Sequence, residues 1–184
     1  MTEPHVGRAR SADLIPFATA LDDDGFLTDR LARQDNHQGV LFFGWWGTRP
    51  AGTVYLWLEE AEEPPIQAHL PGVALLTHLQ VHAELRRRGV GTALVGAVEQ
   101  HLAEQGRERV ALAVRTDNPA AARLYDKLGY RDWGHGTVTC YARVTLRNGG
   151  VLEVPELCHV LVKDLEVVTP APRAEPRIGA SRRC

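Results

Sequence analysis

The sequence predicts one domain of the mixed α/β class, and three features of the chain carry this prediction. The central part alternates strand, helix, strand, helix and strand, an order that brings strands and covering helices into one unit. Pairs of apolar, strand-like runs stand before and after this part, so antiparallel hairpins are expected on either side of it. The length of 184 residues and the hydrophobic content of 44% are typical of a single globular domain.

The first half of the domain is predicted to hold two short helices and a hairpin, followed by an irregular stretch. Ser11 or Asp13 can cap the first helix, and the acidic run before Gly25 ends it. The turn sequence at 47–50 joins the two apolar runs of the hairpin. The stretch 59–72 is rich in glutamate and proline, and we expect it to be irregular. The predicted elements are a strand at 6–10, helices at 14–21 and 26–34, and strands at 40–46 and 51–58.

The second half is predicted to begin with a buried central strand at 73–82, where the chain is strongly apolar. The next helix repeats an apolar residue at every fourth position, and Gly106 stands at its expected C-cap. A later helix begins at Pro119, after Asn118, which can cap it, and ends at Gly129. The predicted elements are helices at 90–105 and 119–129, strands at 109–114, 130–133, 137–146 and 157–165, and a turn at 148–150.

Composition predicts the extent of the domain, the classes of partner that the protein does not bind, and its location. Residues 1–168 are assigned to the domain, and 169–184, with three prolines and four arginines, to a disordered tail. A net charge of −2 argues against nucleic-acid binding, and no apolar run approaches the roughly 18 residues of a membrane helix. The three cysteines lack C-x-x-C spacing, so neither a disulfide framework nor a metal site is predicted. Free thiols and a polar N-terminus predict a cytoplasmic protein.

A glycine-rich turn between the central strand and the long helix is the strongest functional signal. Its sequence is LQVHAELRRRGVGTA at 79–93. Backbone N–H groups at a helix N-terminus bind phosphate, and Gly89 and Gly91 leave room for a diphosphate. The three arginines at 86–88 add positive charge, although part of this triplet could be a solvated surface. A Walker loop is excluded because no lysine is present, and a dinucleotide fingerprint because Leu94 stands at the position of its third glycine.

Two motifs in this region match one known family. The pattern R-x-x-G-x-G at 86–91, preceded by L-x-V at 79–81, resembles the pyrophosphate-binding motif of the GNAT acyltransferase superfamily. The segment from Asn118 to Tyr130 resembles the second family motif, N-x-x-A-x-x-x-Y-x-x-x-G-[FY], with Tyr125 at the tyrosine position. Both motifs stand in the family's order and on the expected elements. The resemblance implies a mixed, mostly antiparallel sheet flanked by helices, and an N-acetyltransferase that uses acetyl-coenzyme A (acetyl-CoA).

The resemblance also implies roles for individual positions. Backbone groups of Leu79 and Val81 would pair with the pantetheine arm, and N–H groups at 87–92 would hold the pyrophosphate. Asn118 would contact the pantetheine, and Tyr125 would protonate the departing thiolate, although Tyr125 could instead be a packing residue. An amine would attack the thioester directly, with the N–H of Val81 or a neighbour stabilising the oxyanion. The implied cofactor contacts are Leu79, Val81, Arg86, Arg87, Arg88, Gly89, Val90, Gly91, Thr92, Asn118 and Tyr125.

The general base is the least determined part of the site, because the central strand carries no acidic residue. Alternation places Thr77 on the face of Leu79, and His78 and Gln80 on the opposite face. In the family the base shares the face of the motif leucine, which disfavours His78 unless the strand contains a bulge. His82, at the end of the strand, is therefore the candidate base. Either histidine could be structural, and an ordered water could act instead.

The acceptor is predicted only as a class. We expect a primary amine on a small molecule, with a protein N-terminus or lysine as the alternative. A non-catalytic acyl-CoA-binding sensor is a further alternative, because the expected acidic base is missing. The acidic segments 22–24 and 59–63 lie where relatives line the substrate cleft, and could attract a cationic amine or be solvated loops. A homodimer is expected from the resemblance alone.

Overall fold

The structure is a computed structural model that describes residues 3–145 and 149–166. The predicted tail and Asn148 of the predicted turn lie outside these residues. Short 3-10 turns at Ser11–Asp13 and Ala83–Leu85 precede the first and fourth helices. The described elements are β1 (Pro4–Arg8), α1 (Leu14–Leu21), α2 (Asp24–Asp35), β2 (Gly39–Trp46), β3 (Arg49–Trp57), α3 (Pro64–His69), β4 (Ala74–Val81), α4 (Val90–Glu104), β5 (Arg109–Arg115), α5 (Pro119–Lys127), β6 (Arg131–Thr145) and β7 (Val151–Asp164).

The strands form one twisted sheet in the order β1-β2-β3-β4-β5-β7-β6. Every neighbouring pair is antiparallel except β4 and β5, which are parallel. The prediction of a mixed, mostly antiparallel α/β fold is therefore confirmed. β4 and β5 pair only at Ala74↔Val110 and Leu75↔Ala111, and then diverge. A gap opens between the second half of β4 and the end of β5, at the centre of the sheet.

The two faces of the sheet are covered by different helices. α4 lies on one face through its predicted apolar positions, which are almost fully buried against β2, β3, β4 and β5. α1 and α2 cover the opposite face, where Phe17, Leu27 and Tyr55 have no exposed surface. A further apolar cluster, around Ile66 of α3 and Leu75 of β4, lies on the same face as α1 and α2. Trp57 packs against both this cluster and the one beneath α1 and α2. We call the two sides the α4 face and the α1–α2 face.

A β-bulge interrupts β4 at His78. Thr53 pairs with Gln80 but Tyr55 pairs with Thr77, so β4 holds one more residue than β3 across this interval. His78 has φ of 51°, in the left-handed region that costs a non-glycine residue about 1 kcal/mol. Leu76 and Leu79 consequently both pack on the α4 face although they are three positions apart. The prediction that Thr77 shares the face of Leu79 was wrong, because the bulge breaks the alternation on which it depended.

Three other differences from the predicted elements have local causes. α3 lies inside the stretch expected to be irregular, where prolines occupy its first positions and Ile66 alone is buried. β6 is one strand instead of two, because a register shift between Asp132 and Thr137 accommodates the intervening glycines without ending the pairing with β7. β7 begins at Val151 rather than at 157, although its first residues are exposed. In the described part of the chain, no helix is long and apolar enough to cross a membrane.

Candidate functional site

The turn between β4 and α4 presents a row of unpaired backbone donors. Within the described residues, none of the N–H groups at 87–92 donates to a protein acceptor, and Gly89 caps α4 without a side-chain bond. Arg87 and Gly89 both have positive φ, 62° and 83°, which curls the backbone into a concave turn. A Cβ on Gly89 would meet no atom within 4 Å, so the space beside the turn is open. An anion with several oxygen atoms fits these donors.

The edge of β4 that faces the gap is also unpaired. The N–H of His82 donates to the carbonyl of Ala51 on β3 at 2.8 Å, so the amides of Leu79 and Val81 point the other way, toward β5. No strand pairs with them there, because β5 has already diverged. The Val81 carbonyl accepts from Arg86 Nε at 3.2 Å, and the other three groups remain available to an extended polar chain.

Gly91 brings three elements of the site together. A Cβ at this position would lie 3.4 Å from Leu124 Cδ2, 3.8 Å from Val81 Cγ2 and 4.0 Å from Leu79 Cδ2. The first turn of α4, the middle of α5 and the end of β4 therefore meet at one point. Residues of both sequence motifs therefore lie close together.

Tyr125 and Asn118 have clearly different environments. The side chain of Tyr125 is buried, with Tyr130 in edge contact at a ring distance of 5.5 Å. Burial raises the pKa of Tyr125, so its phenol stays protonated at neutral pH. Asn118 is exposed, and its Oδ1 accepts from the N–H of Ala121 at 3.1 Å to cap α5. Its capping role was predicted from the sequence, and its amide NH₂ group remains available to a ligand.

The arginines of the turn are exposed and partly engaged within the protein. Arg86 donates to Val81, as described, and the Arg88 guanidinium lies 5.6 Å from the ring centre of Trp46. Arg87 occupies the left-handed conformation that shapes the turn. The backbone N–H groups and the α4 N-terminus add positive potential to that of these arginines.

His78 lies on the α1–α2 face, in contact with the segment that joins α1 and α2. Its Nε2 is 2.8 Å from Asp23 Oδ2, and its ring stacks on Phe26 at 3.6 Å. Burial lowers the pKa of His78, and the Asp23 carboxylate acts in the opposite direction. The aspartates were noticed in the sequence as a charged run, but nothing indicated that one of them meets the central strand.

His82 occupies a different position, at the end of β4 before the 3-10 turn. Its Nδ1 is enclosed and has no hydrogen-bond partner among the described residues. The structure thus separates the two histidines: His78 faces α2, and His82 lies beside the turn that leads to α4.

Two side chains of the acidic segments are paired within the protein, whereas Asp22, Asp24, Glu60 and Glu62 are exposed. Asp23 is paired with His78, and Glu59 accepts from Arg33 Nη1 and Gln38 Nε2, each at 3.0 Å. The charges of these two carboxylates are therefore balanced within the protein. No group of three or more metal-ligating side chains occurs within 3–145 and 149–166.

Solved structures match this fold over most of the chain. The ribosomal-protein-S18-alanine N-acetyltransferase from Escherichia coli superposes with a TM-score of 0.60 and 16% identity, covering 94% of this chain and 99% of its own. RimL, a ribosomal L7/L12 α-N-protein acetyltransferase in complex with coenzyme A, superposes with a TM-score of 0.63 and 9% identity, covering 91% and 97%. At these identities the likeness shows the fold alone.

Curated proteins match shorter segments. An acetyltransferase of Pectobacterium atrosepticum is 38% identical over 63 residues, which are 34% of this chain and 41% of that protein. The mycothiol acetyltransferase of Paenarthrobacter aurescens is 39% identical over 69 residues, 38% of this chain and 21% of that protein. The chain thus spans less than half the length of these relatives. The model of the acetyltransferase (GNAT) family matches residues 10–130, which include the unpaired turn, the open edge of β4 and α5. This match extends over about two thirds of the chain, and the chain therefore belongs to the GNAT acetyltransferase family.

Proposed function

We propose that the protein is an N-acetyltransferase that moves the acetyl group of acetyl-CoA to a primary amine by direct attack. The observation that carries this proposal is the row of unpaired N–H groups at 87–92 beside the unpaired edge of β4. Coenzyme A combines a diphosphate with an extended amide-containing arm, so it matches both features. Acetyl-CoA supplies an acetyl group activated as a thioester. Membership of the GNAT family supports the same proposed activity.

The residues present fit this cofactor. The N–H groups at 87–92 would hold the diphosphate, with the arginines at 86–88 adding charge around it. Leu79 and Val81 would pair through their backbones with the pantetheine arm. Gly89 and Gly91 keep side chains out of this region. The N–H of Val81 or a neighbour would stabilise the oxyanion, because these donors are fixed before the reaction begins.

Tyr125 is proposed as the general acid. Its buried phenol keeps its proton at neutral pH, which suits a group that must donate to a departing thiolate. We place the general base at His78 rather than at His82, because Asp23 orients its imidazole, although the bulge leaves His78 on the face opposite Leu79. His78 lies on the face away from α4, and Asp23 holds its Nε2, so Nδ1 is the nitrogen that would take a proton from the acceptor ammonium. His82 remains the second candidate.

We propose a small molecule as the acceptor. Phe26 and Asp23 cover His78 from one side, which narrows the approach to the base. A protein N-terminus or lysine is the alternative, and the fold neighbour from Escherichia coli is named for such an activity. A non-catalytic acyl-CoA-binding sensor would bind the cofactor without transfer to any amine.

The expected homodimer is retained as a proposal. The β6–β7 hairpin exposes apolar side chains, with exposed fractions of 63% for Tyr141 and 53% for Leu157. Sedimentation of the full chain should give a dimer mass, and Tyr141→Lys should shift the mass toward the monomer. A monomeric wild-type protein at micromolar concentration would overturn this part of the proposal.

Titration calorimetry of acetyl-CoA tests the proposed cofactor. Gly89→Asp places a negative charge in the turn and should weaken binding by about 100-fold or more. Gly89→Asn is the matched control, because asparagine tolerates a positive φ and carries no charge. It should retain most of the affinity. Absence of acetyl-CoA binding by the wild-type protein would refute the proposal. Binding without transfer to any amine in a panel would favour the sensor.

A further inference from the structure

Arg30 of α2 lies on the α1–α2 face above three aromatic rings. Its Cζ is 4.8 Å from the ring centre of Phe26, 5.0 Å from that of Tyr55 and 5.4 Å from that of Trp57. The Phe26 ring also stacks on His78, so the guanidinium and the imidazole both contact this ring. Arg30 therefore lies beside the position that we propose for the acceptor amine.

The Arg30 guanidinium is enclosed without being hydrogen-bonded. Within the described chain, its Nε and Nη1 are buried and have no hydrogen-bond partner. Nη1 lies 3.3 Å from Asp29 Oδ2, but this contact lacks hydrogen-bond geometry. Buried donors in a folded protein normally have acceptors, so this guanidinium calls for an explanation.

Arg33, one turn further along α2, provides the comparison. Its guanidinium also stacks on Trp57, at 5.1 Å. Arg33 Nε donates to Asp29 Oδ2 at 3.2 Å, and Nη1 donates to Glu59 at 3.0 Å. Asp29 thus already has a hydrogen-bonded partner, and a ligand can replace its weaker contact with Arg30. The same kind of residue on the same helix is satisfied in one case and unsatisfied in the other.

Charges of both signs surround Arg30. Burial is the main cause that lowers the pKa of Arg30, and Arg33 and Arg143 of β6 act in the same direction, whereas Asp29 opposes them. Arg143 is paired with Glu153 at 3.4 Å, on the exposed hairpin. Asp23 and Glu59 are paired with His78 and Arg33. Asp29 is therefore the carboxylate with which a ligand anion would compete for Arg30.

We infer that Arg30 binds an anionic group of the acceptor, so the acceptor carries a carboxylate or phosphate in addition to its primary amine. A guanidinium binds a planar oxyanion through parallel N–H donors, and it does so most strongly where water is excluded. This inference rests on the proposed acetyltransferase function and specifies its substrate.

Matched pairs of amines test the inference directly. Glycine and the ω-amino acids up to 6-aminohexanoate would each be compared with the alkylamine of equal length, by kcat/KM for acetyl transfer. 2-Aminoethyl phosphate beside ethanolamine tests phosphate against carboxylate. At the favoured chain length, kcat/KM for the anionic amine should be about tenfold or more above kcat/KM for its neutral partner. Arg30→Met keeps an apolar stem over the rings and should abolish this preference, whereas Arg33→Met should keep it.

Binding to the free protein gives a readout that does not depend on turnover. Calorimetric titration of the favoured anionic amine should show binding that Arg30→Met removes and Arg33→Met retains. Unchanged Tm and unchanged acetyl-CoA affinity in both variants would show that the fold is intact. Equal kcat/KM for charged and neutral partners, or a preference that survives Arg30→Met, would overturn the inference while leaving the acetyltransferase proposal in place. Failure of the wild-type protein to bind acetyl-CoA would instead refute that proposal.

Discussion

The two faces of the sheet present different kinds of polar group near the proposed site. On the α4 face, the available groups are backbone N–H and carbonyl groups, presented by the turn at 87–92 and by the edge of β4. On the α1–α2 face they are side chains, and they come from two segments far apart in the sequence. His78 belongs to β4, whereas Asp23, Phe26 and Arg30 belong to α2 and the residue that precedes it.

This difference predicts how each face responds to mutation. A backbone donor survives the exchange of its own side chain, so the α4 face should be sensitive to changes in φ or in the available space. A side-chain site is lost with one residue, so the α1–α2 face should be sensitive to single conservative replacements. The cofactor and the acceptor would accordingly be affected by different classes of substitution.

The largest effect is expected from His78→Gln, which removes the proposed base from the α1–α2 face. General base catalysis contributes about 10²–10⁴-fold, and we expect kcat/KM to fall by about 10³-fold near neutral pH. Acetyl-CoA affinity should stay close to the wild-type value, because no backbone group of the turn is altered. Steady-state kinetics and calorimetry on the same preparations measure both quantities.

The pH profile separates a catalytic histidine from a structural one. The base must be neutral, so activity should rise with pH through the pKa of His78. Burial lowers this pKa, which places the acidic limb below the ordinary value of about 6.5. Asp23→Asn removes the carboxylate that opposes the shift, so the limb should move to still lower pH. If the acidic limb of the pH profile is unchanged in both His78→Gln and Asp23→Asn, the base is another group. His82→Gln would then be the next variant to test.

Tyr125→Phe tests an exception to this contrast between the faces. Tyr125 of α5 lies on the α4 face, but it would act through its side chain and not through its backbone. Loss of the proposed acid should lower kcat by about 10²-fold, with acetyl-CoA affinity changed by less than about threefold. Tyr130→Phe is the matched control, because the two rings are in contact and the Tyr130 hydroxyl is buried near Glu99. Equal losses in the two variants would indicate that Tyr125 only packs.

Gly52→Ala tests the space available on the α4 face. A Cβ on Gly52 would lie 2.6 Å from the carbonyl oxygen of Gln80 and 3.1 Å from Leu94 Cδ1. Overpacking of this kind lowers the free energy of unfolding by about 1–3 kcal/mol. Gly96→Ala is the control, because Gly96 lies within α4 with no atom within 4 Å of its Cβ position, and alanine there should add about 0.5–1 kcal/mol. Denaturant unfolding measures both, and a neutral Gly52→Ala would show that β3 and β4 can separate without cost.

The α4 face could be predicted from the sequence because its determinants are close together in the chain. The glycines and the helix that follows them occupy consecutive positions, and the predicted start of α4 at Val90 is correct. The seven-stranded order itself was not predicted, because it depends on pairings such as β5 with β7 that no local pattern specifies.

The α1–α2 face could not be predicted in the same way. Alternation assigned Thr77 to the wrong face, because a bulge is a tertiary choice between β3 and β4 and leaves no clear sequence signal. The pairing of Asp23 with His78 joins residues more than fifty positions apart. No sequence pattern singles out Arg30 among the charged residues of α2. Its contacts with three aromatic rings depend on how α2 packs on the sheet.

The smallest effect is expected from Arg88→Ala, which tests whether the turn binds through its backbone. Arg88 lies over Trp46, and the donors at 87–92 do not depend on its side chain. The Kd for acetyl-CoA should rise by about threefold or less, because an exposed charge near a ligand contributes less than about 1 kcal/mol. Calorimetry at low and moderate salt measures this change, with Gly89→Asp as the reference for a damaged turn. A loss of tenfold or more at moderate salt would mean that arginine side chains hold the diphosphate. The contrast between a backbone face and a side-chain face would then fail at the position where the sequence signal is strongest.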